Sequence, residues 1–213
     1  MDKKQTLLSA SLATSFVYKV EGSETNADFA GRINANEGNC KIEDRVNRIY
    51  GANCVLQFKY VENDLFYNNL CMIDSRLPQI IAWMMADCYK NRDLNIQKAI
   101  ERITQVNPIG YDLSKGHDFY SYKIKSLMIA SAFGMSPTDT WNGQLDARRE
   151  YRIVKDNGEE VRFHLNDGKI LGDYLFQHTR FETPIGADYT SGHIYQNSNN
   201  EYFFNLNLQI GLK

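Results

Sequence analysis

Long hydrophobic runs are absent from this 213-residue sequence, and neither sign of charge prevails. No stretch approaches the ~18 apolar residues of a membrane-spanning helix, and the lysine-bearing start leads into a polar TLLSAS segment instead of a signal-peptide core. The 24 basic and 26 acidic side chains leave a net charge of −2, which excludes binding of nucleic acid by bulk electrostatics. We therefore expect a cytoplasmic protein whose contacts with any nucleic acid are local.

Cysteine is sparse, and its positions show no metal-binding spacing. Cys40, Cys54, Cys71 and Cys88 are far apart, with no C-x-x-C pair and no accompanying His-x-x-x-His. Zinc sites and disulfide frameworks need such patterns. The sequence therefore favours free, buried thiols.

Three common enzyme motifs are also missing. The chain contains no G-x-S-x-G, no G-x-x-x-x-G-K and no G-x-G-x-x-G. Serine hydrolase, phosphate-loop and dinucleotide chemistry therefore have no support in the sequence.

Helical periodicity is clearest in the segment that follows Asp74 and Ser75, either of which can cap a helix. Pro78 is tolerated there because it falls in the first turn. The apolar residues at helical spacing are Leu77, Ile80, Ile81, Met84, Met85 and Cys88. Further helices are predicted at Asn26–Ile33, Ile42–Tyr50 before Gly51, Asn95–Val106, Asp118–Phe133 and Gly172–Gln177.

Strand signals dominate both ends of the chain. The predicted strands are Ser11–Val20, Val55–Val61, Tyr151–Lys155, Val161–Leu165, Ser191–Tyr195 and Glu201–Leu212. Asn157-Gly158 predicts a tight hairpin turn, because this pair supplies positive φ angles. In the last strand Asn205, Asn207 and Gln209 alternate with apolar residues, which predicts one polar and one buried face.

Mixed helices and β-hairpins place the chain in the α+β class. We expect one unit over residues 1–213, with a soft division into a mainly helical part with two strands (1–140) and a hairpin-rich part (141–213). No repeat or low-complexity linker separates these parts.

Five separated blocks resemble, in order, the C-terminal part of the HpaII-type restriction endonucleases. The blocks are NLCMIDSRLPQIIA (69–82), NPIGYDLSKGHDFYSYKIK (107–125), FGMSPTDTWNG (133–143), DYLFQHTRFETP (173–184) and YFFNLNLQIGLK (202–213). The resemblance implies type II site-specific cleavage of duplex DNA in a restriction-modification system. It also implies a fold similar to the PD-(D/E)XK nucleases, Mg²⁺ as cofactor of the complete enzyme, and duplex DNA as partner.

The same resemblance bears on the start of the chain. In that family the strand with the catalytic lysine precedes the TLLSAS-like segment, and here only Met1 to Gln5 stand before it. The resemblance therefore implies an incomplete enzyme that is inactive alone and whose partner is a missing upstream segment or chain. We expect the strand Ser11–Val20 to lie beside a strand that the chain lacks, which would leave an unpaired edge or an exposed apolar surface near the N-terminus. No catalytic or metal-ligating residue is assigned to this chain.

PD-(D/E)XK nucleases need acidic groups that hold Mg²⁺ and a lysine two positions after an acid on one strand, so that both side chains face the same side. On the predicted strands the nearest match is Gln57-Phe58-Lys59, because glutamine can replace the acid. The polar face of a half-buried strand explains the same residues, and we favour that explanation.

The SKGHDFYSYKIK block offers candidate DNA contacts. His117 can act as a general base or bind a phosphate, although a hydrogen-bonded structural histidine explains it better. Basic and aromatic side chains interleave around it and can fix register on a duplex, although a solvated helix face explains the pattern equally well. They are Lys115, Tyr120, Tyr122, Lys123 and Lys125.

A second candidate interface combines arginines with amide side chains. Arg148, Arg149 and Arg152 form the densest arginine group, and Asn142 and Gln144 lie beside them. Arginine reads guanine edges, and asparagine or glutamine reads adenine edges, in the major groove. A structural salt-bridge loop is an equally good explanation.

Two other functions stay open. One is a non-catalytic remnant of such an enzyme that binds DNA or protein, and the other is an unrelated interaction domain.

Overall fold

The computed structural model describes residues 6–35, 41–145, 150–154, 157–164, 168–183 and 191–212. The helices in these ranges are α1 (Ala27–Asn34), α2 (Ile42–Gly51), α3 (Asp64–Ile73), α4 (Leu77–Lys90), α5 (Ile96–Val106), α6 (Phe119–Ala132) and α7 (Gly168–His178). The strands are β1 (Thr6–Leu8), β2 (Ser15–Glu21), β3 (Val55–Val61), β4 (Tyr151–Val154), β5 (Glu160–Phe163), β6 (Thr179–Phe181), β7 (Ile194–Gln196), β8 (Tyr202–Asn207) and β9 (Ile210–Leu212). This mixture confirms the α+β class.

Three antiparallel sheets organise the described strands. The largest has the order β3-β2-β8-β7, a second has the order β1-β9-β6, and β4 and β5 form a separate hairpin. The four-stranded sheet takes two strands from before residue 140 and two from after it. Helices pack against this sheet, with α4 and α3 in contact with β3 and α1 in contact with β7.

The N-terminal segment differs from its prediction. Leu12–Thr14 forms a 3₁₀ turn, and the strand begins only at Ser15. The turn forms because the Ser11 amide donates to Thr14 Oγ1 at 3.0 Å, while the Thr14 amide donates to the Ser11 carbonyl at 3.1 Å. Such local side-chain bonds compete with strand pairing.

The expected unpaired edge on this strand is wrong. β2 pairs with β3 on one side and with β8 on the other, so both of its edges are satisfied by strands of this chain. Phe16 and Val17 are completely buried there. Within the described residues, β2 is an interior strand.

The C-terminal strand is divided, and its polar face is buried. β8 belongs to the four-stranded sheet, whereas β9 belongs to the sheet with β1 and β6. Asn205 and Asn207 are 8% and 2% exposed, which corrects the expected solvent-facing row. Asn207 Nδ2 donates to the Ser11 carbonyl at 2.9 Å, and Asn205 Nδ2 donates to Ser15 Oγ at 3.3 Å. These hydrogen bonds to the N-terminal segment offset the desolvation cost of burying the two amide side chains.

The predicted helix at Leu77 is confirmed as the centre of the core. Leu77, Ile80, Ile81 and Met84 are completely buried, and the hydroxyl of Tyr18 on β2 donates to the carbonyl of Ala82 at 2.8 Å. This hydrogen bond ties the helix to the sheet.

The described elements β1, α3 and β6 are absent from the sequence prediction. α3 begins after Asn63, whose side chain accepts from the Phe66 amide at 3.0 Å. The predicted short helix at Gly172 is longer, because α7 already begins at Gly168, and it leads directly into β6.

The predicted hairpin is present as β4 and β5, with Gly158 at a φ of 82°. Lys155 and Leu165, the outer ends of the two predicted strands, lie outside the described residues.

The cysteines that the structure describes are free thiols. Cys54 and Cys88 are free and buried, Cys71 is free and half-buried, and Cys40 lies outside the described residues.

Among the described helices, none has both the length and the hydrophobicity to cross a membrane.

Candidate nucleic-acid interface

A groove of about 650 Å³ lies between α6, the loop 141–145 and the N-terminal part of α7. We call it the α6–α7 groove. One face of α6 lines it with Tyr122, Lys125 and Ile129, which recur at helical spacing. Gly172 allows α7 to approach this face closely, because a β-carbon there would lie 3.0 Å from Cδ1 of Ile129. The groove therefore joins the two segments that carry most of the predicted contacts.

A single buried amide holds the loop on the far side of the groove. Asn69 of α3 is 2% exposed, and its Nδ2 donates to the carbonyls of Ser136 and Asp139 at 2.9 and 2.8 Å. Its Oδ1 accepts from the Trp141 amide at 3.0 Å. These bonds span about seventy residues of sequence and fix the path of the loop into Trp141.

The two predicted amide readers lie on this loop and are exposed. The Gln144 amide donates to Asn142 Oδ1 at 3.0 Å, and Trp141 Nε1 donates to the Gln144 carbonyl at 3.0 Å. The side-chain amide of Asn142 also donates to Gln144 Oε1 at 3.4 Å. The loop thus presents both side chains from an internally bonded turn.

The two lysines of α6 already have carboxylate partners. Lys123 donates to Asp74, before α4, and Lys125 donates to Asp173 of α7 at 2.7 Å. The hydrogen bond from Lys125 lowers the pKa of the Asp173 carboxyl, which therefore stays ionised. Both lysines connect α6 to neighbouring elements, and the Lys125–Asp173 pair lies in the wall of the groove.

Tyr120 is buried, and this placement corrects its expected position on a DNA-facing surface. It is 1% exposed, and its hydroxyl donates to Asn107 Oδ1 at 2.7 Å. Tyr122, in contrast, is 71% exposed. Helical spacing turns the two residues to opposite sides of α6.

Lys115 and His117 are exposed in the segment that precedes α6. The ring of His117 lies 5.5 Å from that of Phe119, centroid to centroid. The structure brings this segment to the N-terminal end of α6, where Asp118 caps the helix by accepting from the Ser121 amide at 3.4 Å.

The arginine group is described only in part. Arg148 and Arg149 lie outside the described residues. Arg152 lies on β4 directly opposite Arg162 of β5. Its Nη1 is 3.6 Å from Glu160 Oε1, while Arg162 contacts both Glu160 at 2.9 Å and Glu150 at 3.4 Å. The hairpin surface therefore alternates arginine and glutamate.

Gln57 and Lys59 lie on β3, and Lys59 donates to the Gln57 side chain. The register between β2 and β3 shifts at this point, which indicates a bulge. Lys59 Nζ is also 3.9 Å from Glu21 Oε1 on the neighbouring strand. The arrangement is a surface ion pair on an edge strand.

The donor set for a metal ion is insufficient in the part of the chain that the structure describes. No three His, Cys, Asp or Glu side chains converge there in a way that could hold a metal ion. Glu21 and Glu201 are both paired with Lys19, and Glu21 also with Lys59, whereas a nuclease Mg²⁺ site needs several oxygen ligands around one point. The described residues do not fit the implied cofactor.

Sequence reasoning missed several relevant residues. Asn69 gave no local signal in the sequence, because its partners are distant in sequence. Arg162 could have been found, because the predicted hairpin turn places it opposite Arg152.

Two acid-x-lysine spacings also occur away from the predicted strands, at Asp2-Lys3-Lys4 and Asp167-Gly168-Lys169. Lys169 lies on α7, and Asp2, Lys4 and Asp167 lie outside the described residues.

Comparisons with known proteins agree with the resemblance in the five sequence blocks. A family model described as HpaII restriction endonuclease matches residues 1–212. The chain is 37% identical over 206 residues to the curated protein "Type II restriction enzyme HpaII" of Haemophilus parainfluenzae. The match covers 96% of this chain and 56% of that protein, so the chain spans about half the length of this relative. No solved structure matches the chain.

Proposed function

We propose that this chain takes part in sequence-specific cleavage of duplex DNA by a type II restriction endonuclease, because the chain belongs to the HpaII restriction endonuclease family. The observation that carries this proposal is the family match over nearly the whole chain. Membership of a restriction-modification system and kinship with the PD-(D/E)XK nucleases belong to the same proposal.

The α6–α7 groove and the β4–β5 hairpin are our proposed contact surface for DNA. Tyr122, Asn142 and Gln144 are exposed around the groove, and Arg152 is exposed on the hairpin. Amide side chains suit adenine edges and arginine suits guanine edges, so base reading is assigned to Asn142, Gln144 and Arg152. Tyr122 suits a phosphate, because its hydroxyl can donate a hydrogen bond.

Lys115 and His117 are proposed as additional phosphate contacts, because both are exposed next to the start of α6. Lys123 and Lys125 are assigned to packing of α6 against its neighbours instead, because each is held by a carboxylate. Arg148 and Arg149 stay in the proposal on sequence grounds alone, as neighbours of Arg152.

Mg²⁺ is proposed for the complete enzyme, where it would offset negative charge at the scissile phosphate. No ligand is assigned to it, because the described residues do not fit such a site. We likewise propose that catalysis needs residues beyond the described strands, none of which carries an acid two positions before a lysine.

A non-catalytic DNA- or protein-binding role is the second candidate. The observation that favours it is the same lack of acid-x-lysine spacing on the described strands. The two candidates differ in DNA cleavage, so they are separable by experiment.

The test is selection of duplexes from a randomised DNA library by the purified chain, followed by affinity measurements on the recovered sequence. We expect enrichment of one short motif and weaker binding by the Gln144→Ala variant. Gln105→Ala is the matched control, because Gln105 is an exposed glutamine on α5 outside the groove. Recovery of unrelated sequences with equal affinity would refute sequence-specific recognition by this chain.

A further inference from the structure

A second groove, of about 640 Å³, lies between α4 and β3. We call it the α4–β3 groove. One wall is the β3 segment Val55–Lys59, and the other is the face of α4 that carries Gln79, Trp83 and Lys90. It shares no lining residue with the α6–α7 groove. None of the proposed DNA contacts among the described residues lies in it.

Five aromatic side chains line the α4–β3 groove: Tyr18, Tyr50, Phe58, Tyr67 and Trp83. The hydroxyl of Tyr18 is engaged with Ala82, so Tyr18 forms part of the floor. Tyr67 is 39% exposed, and Trp83 is half-buried, so both present ring surface to the groove. Exposed ring faces of this kind stack with nucleobases of any sequence.

The charge of the groove is positive. Arg76 and Lys90 are exposed, and no carboxylate of the described residues pairs with either. Lys90 lies 4.6 Å above the ring of Tyr50, and Arg76 Nη1 donates to Gln79 Oε1 at 3.3 Å. The one acid in the lining, Asp87, is neutralised by Arg102.

An added peptide strand is a poor occupant, although β3 is an edge strand with only β2 as its described neighbour. Lys59 stands on that edge, and the register shift between β2 and β3 marks a bulge beside it. Lysine and bulges on edge strands are features that prevent pairing with another strand. A polyanion with flat, stackable groups fits the lining better than an extended peptide does.

We propose that the α4–β3 groove binds a single strand of nucleic acid, with bases stacked on Trp83 and Tyr67 and phosphates bound by Arg76 and Lys90. This site is additional to the duplex contacts proposed above and does not depend on them. Aromatic platforms combined with a positive groove are how single strands are bound without sequence preference. Binding should therefore weaken with salt.

The probe is a twelve-residue oligothymidylate, titrated into a Trp141→Phe variant in which Trp83 is the remaining tryptophan. We expect saturable quenching of Trp83 fluorescence. The Arg76→Ala/Lys90→Ala variant should bind at least tenfold more weakly. The matched control is Arg92→Ala/Lys98→Ala, which removes the same charges from exposed positions outside the groove. Thermal melting of each variant checks that the fold is intact.

Absence of quenching, or equal weakening by the control pair, overturns the proposal. Equal affinity for poly-glutamate overturns it as well, because the groove would then accept any acidic polymer. The Trp83 signal reports on the α4–β3 groove, so loss of duplex recognition at the other groove leaves this outcome readable.

Discussion

Arg152 and Arg162 face each other across the antiparallel β4–β5 pair, and Glu160 of β5 and Glu150, just before β4, neutralise them. Like charges directly opposite each other destabilise a strand pair, and Glu150 and Glu160 offset this repulsion. Hydrogen bonding to Glu160 raises the pKa of Arg162, so its guanidinium group stays charged. The hairpin thus holds two exposed cations within the contact surface that we propose for DNA.

Replacing Arg152 by alanine tests this surface. For a base contact we expect binding to weaken by ~1–3 kcal/mol with relaxed preference at one position, and for a phosphate contact a near-uniform loss with a shallower salt dependence. Binding isotherms at several salt concentrations separate the two. Arg148→Ala and Arg149→Ala are measured alongside, with the exposed Arg32→Ala as control. Unchanged affinity in all three variants would return these arginines to a structural role.

Removing the Asn69 side chain should release the loop that leads into Trp141. Asn69→Ala leaves the carbonyls of Ser136 and Asp139 without their donor, at a cost of about 1–3 kcal/mol in the free energy of unfolding. Urea unfolding measures this change, and Trp141 fluorescence in a Trp83→Phe background reports the loop.

Asn68→Ala is the matched control, because Asn68 is the exposed neighbour of Asn69 on α3. If both alanine variants unfold at the same urea concentration with the same Trp141 spectrum, the anchoring role of Asn69 is wrong.

The chain alone should leave duplex DNA intact in Mg²⁺. The reason is the lack of an acid-x-lysine pair on the described strands, together with the lack of a convergent metal donor set among the described residues. Incubation with long genomic DNA, followed by gel analysis, provides the measurement. Discrete fragments would contradict the expectation, and Lys4→Ala and Lys59→Ala would then show which lysine is required.

Alkaline pH should destabilise the protein partly through Cys88. Burial raises the pKa of its thiol to about 12 in the folded state, whereas the unfolded thiol ionises near its ordinary value. The stabilising effect is thus complete below the unfolded pKa and is lost as pH rises toward the folded one. One such group changes the unfolding free energy by about 1.4 kcal/mol per pH unit in that window.

The measurement is urea unfolding between pH 8 and pH 10.5 for the native sequence and for Cys88→Ala. We expect a less steep loss of stability in the variant, compared by slope because the substitution itself lowers stability. Identical slopes would show that Cys88 does not titrate in this way.

Local sequence patterns predicted much of the secondary structure. α2, β3 and α4 follow from periodicity, from Gly51 and from the tolerance of Pro78 in a first turn, all of which act within a few residues. The Asn157-Gly158 turn likewise predicted the hairpin. The family was recognisable because its blocks lie along the whole chain, and the comparisons bear this out.

Burial and pairing were decided by the tertiary structure. Asn205 and Asn207 alternate as if they faced solvent, but the N-terminal segment covers them and bonds their amides. Lys123 and Lys125 have the pattern of a solvated or DNA-binding helix face. In the structure, however, Lys123 binds a carboxylate in the segment before α4 and Lys125 binds one on α7, each nearly fifty residues away in sequence.

The arrangement of the candidate interface was also decided by tertiary packing. Sequence showed which side chains have the chemistry to read DNA, because that property belongs to each residue alone. It could not show that Tyr120 is buried while Tyr122 is exposed, or that Asn69 holds the loop of Asn142 and Gln144. Those relationships depend on which elements pack together, and packing joins residues whose separation in sequence carries no periodic signal.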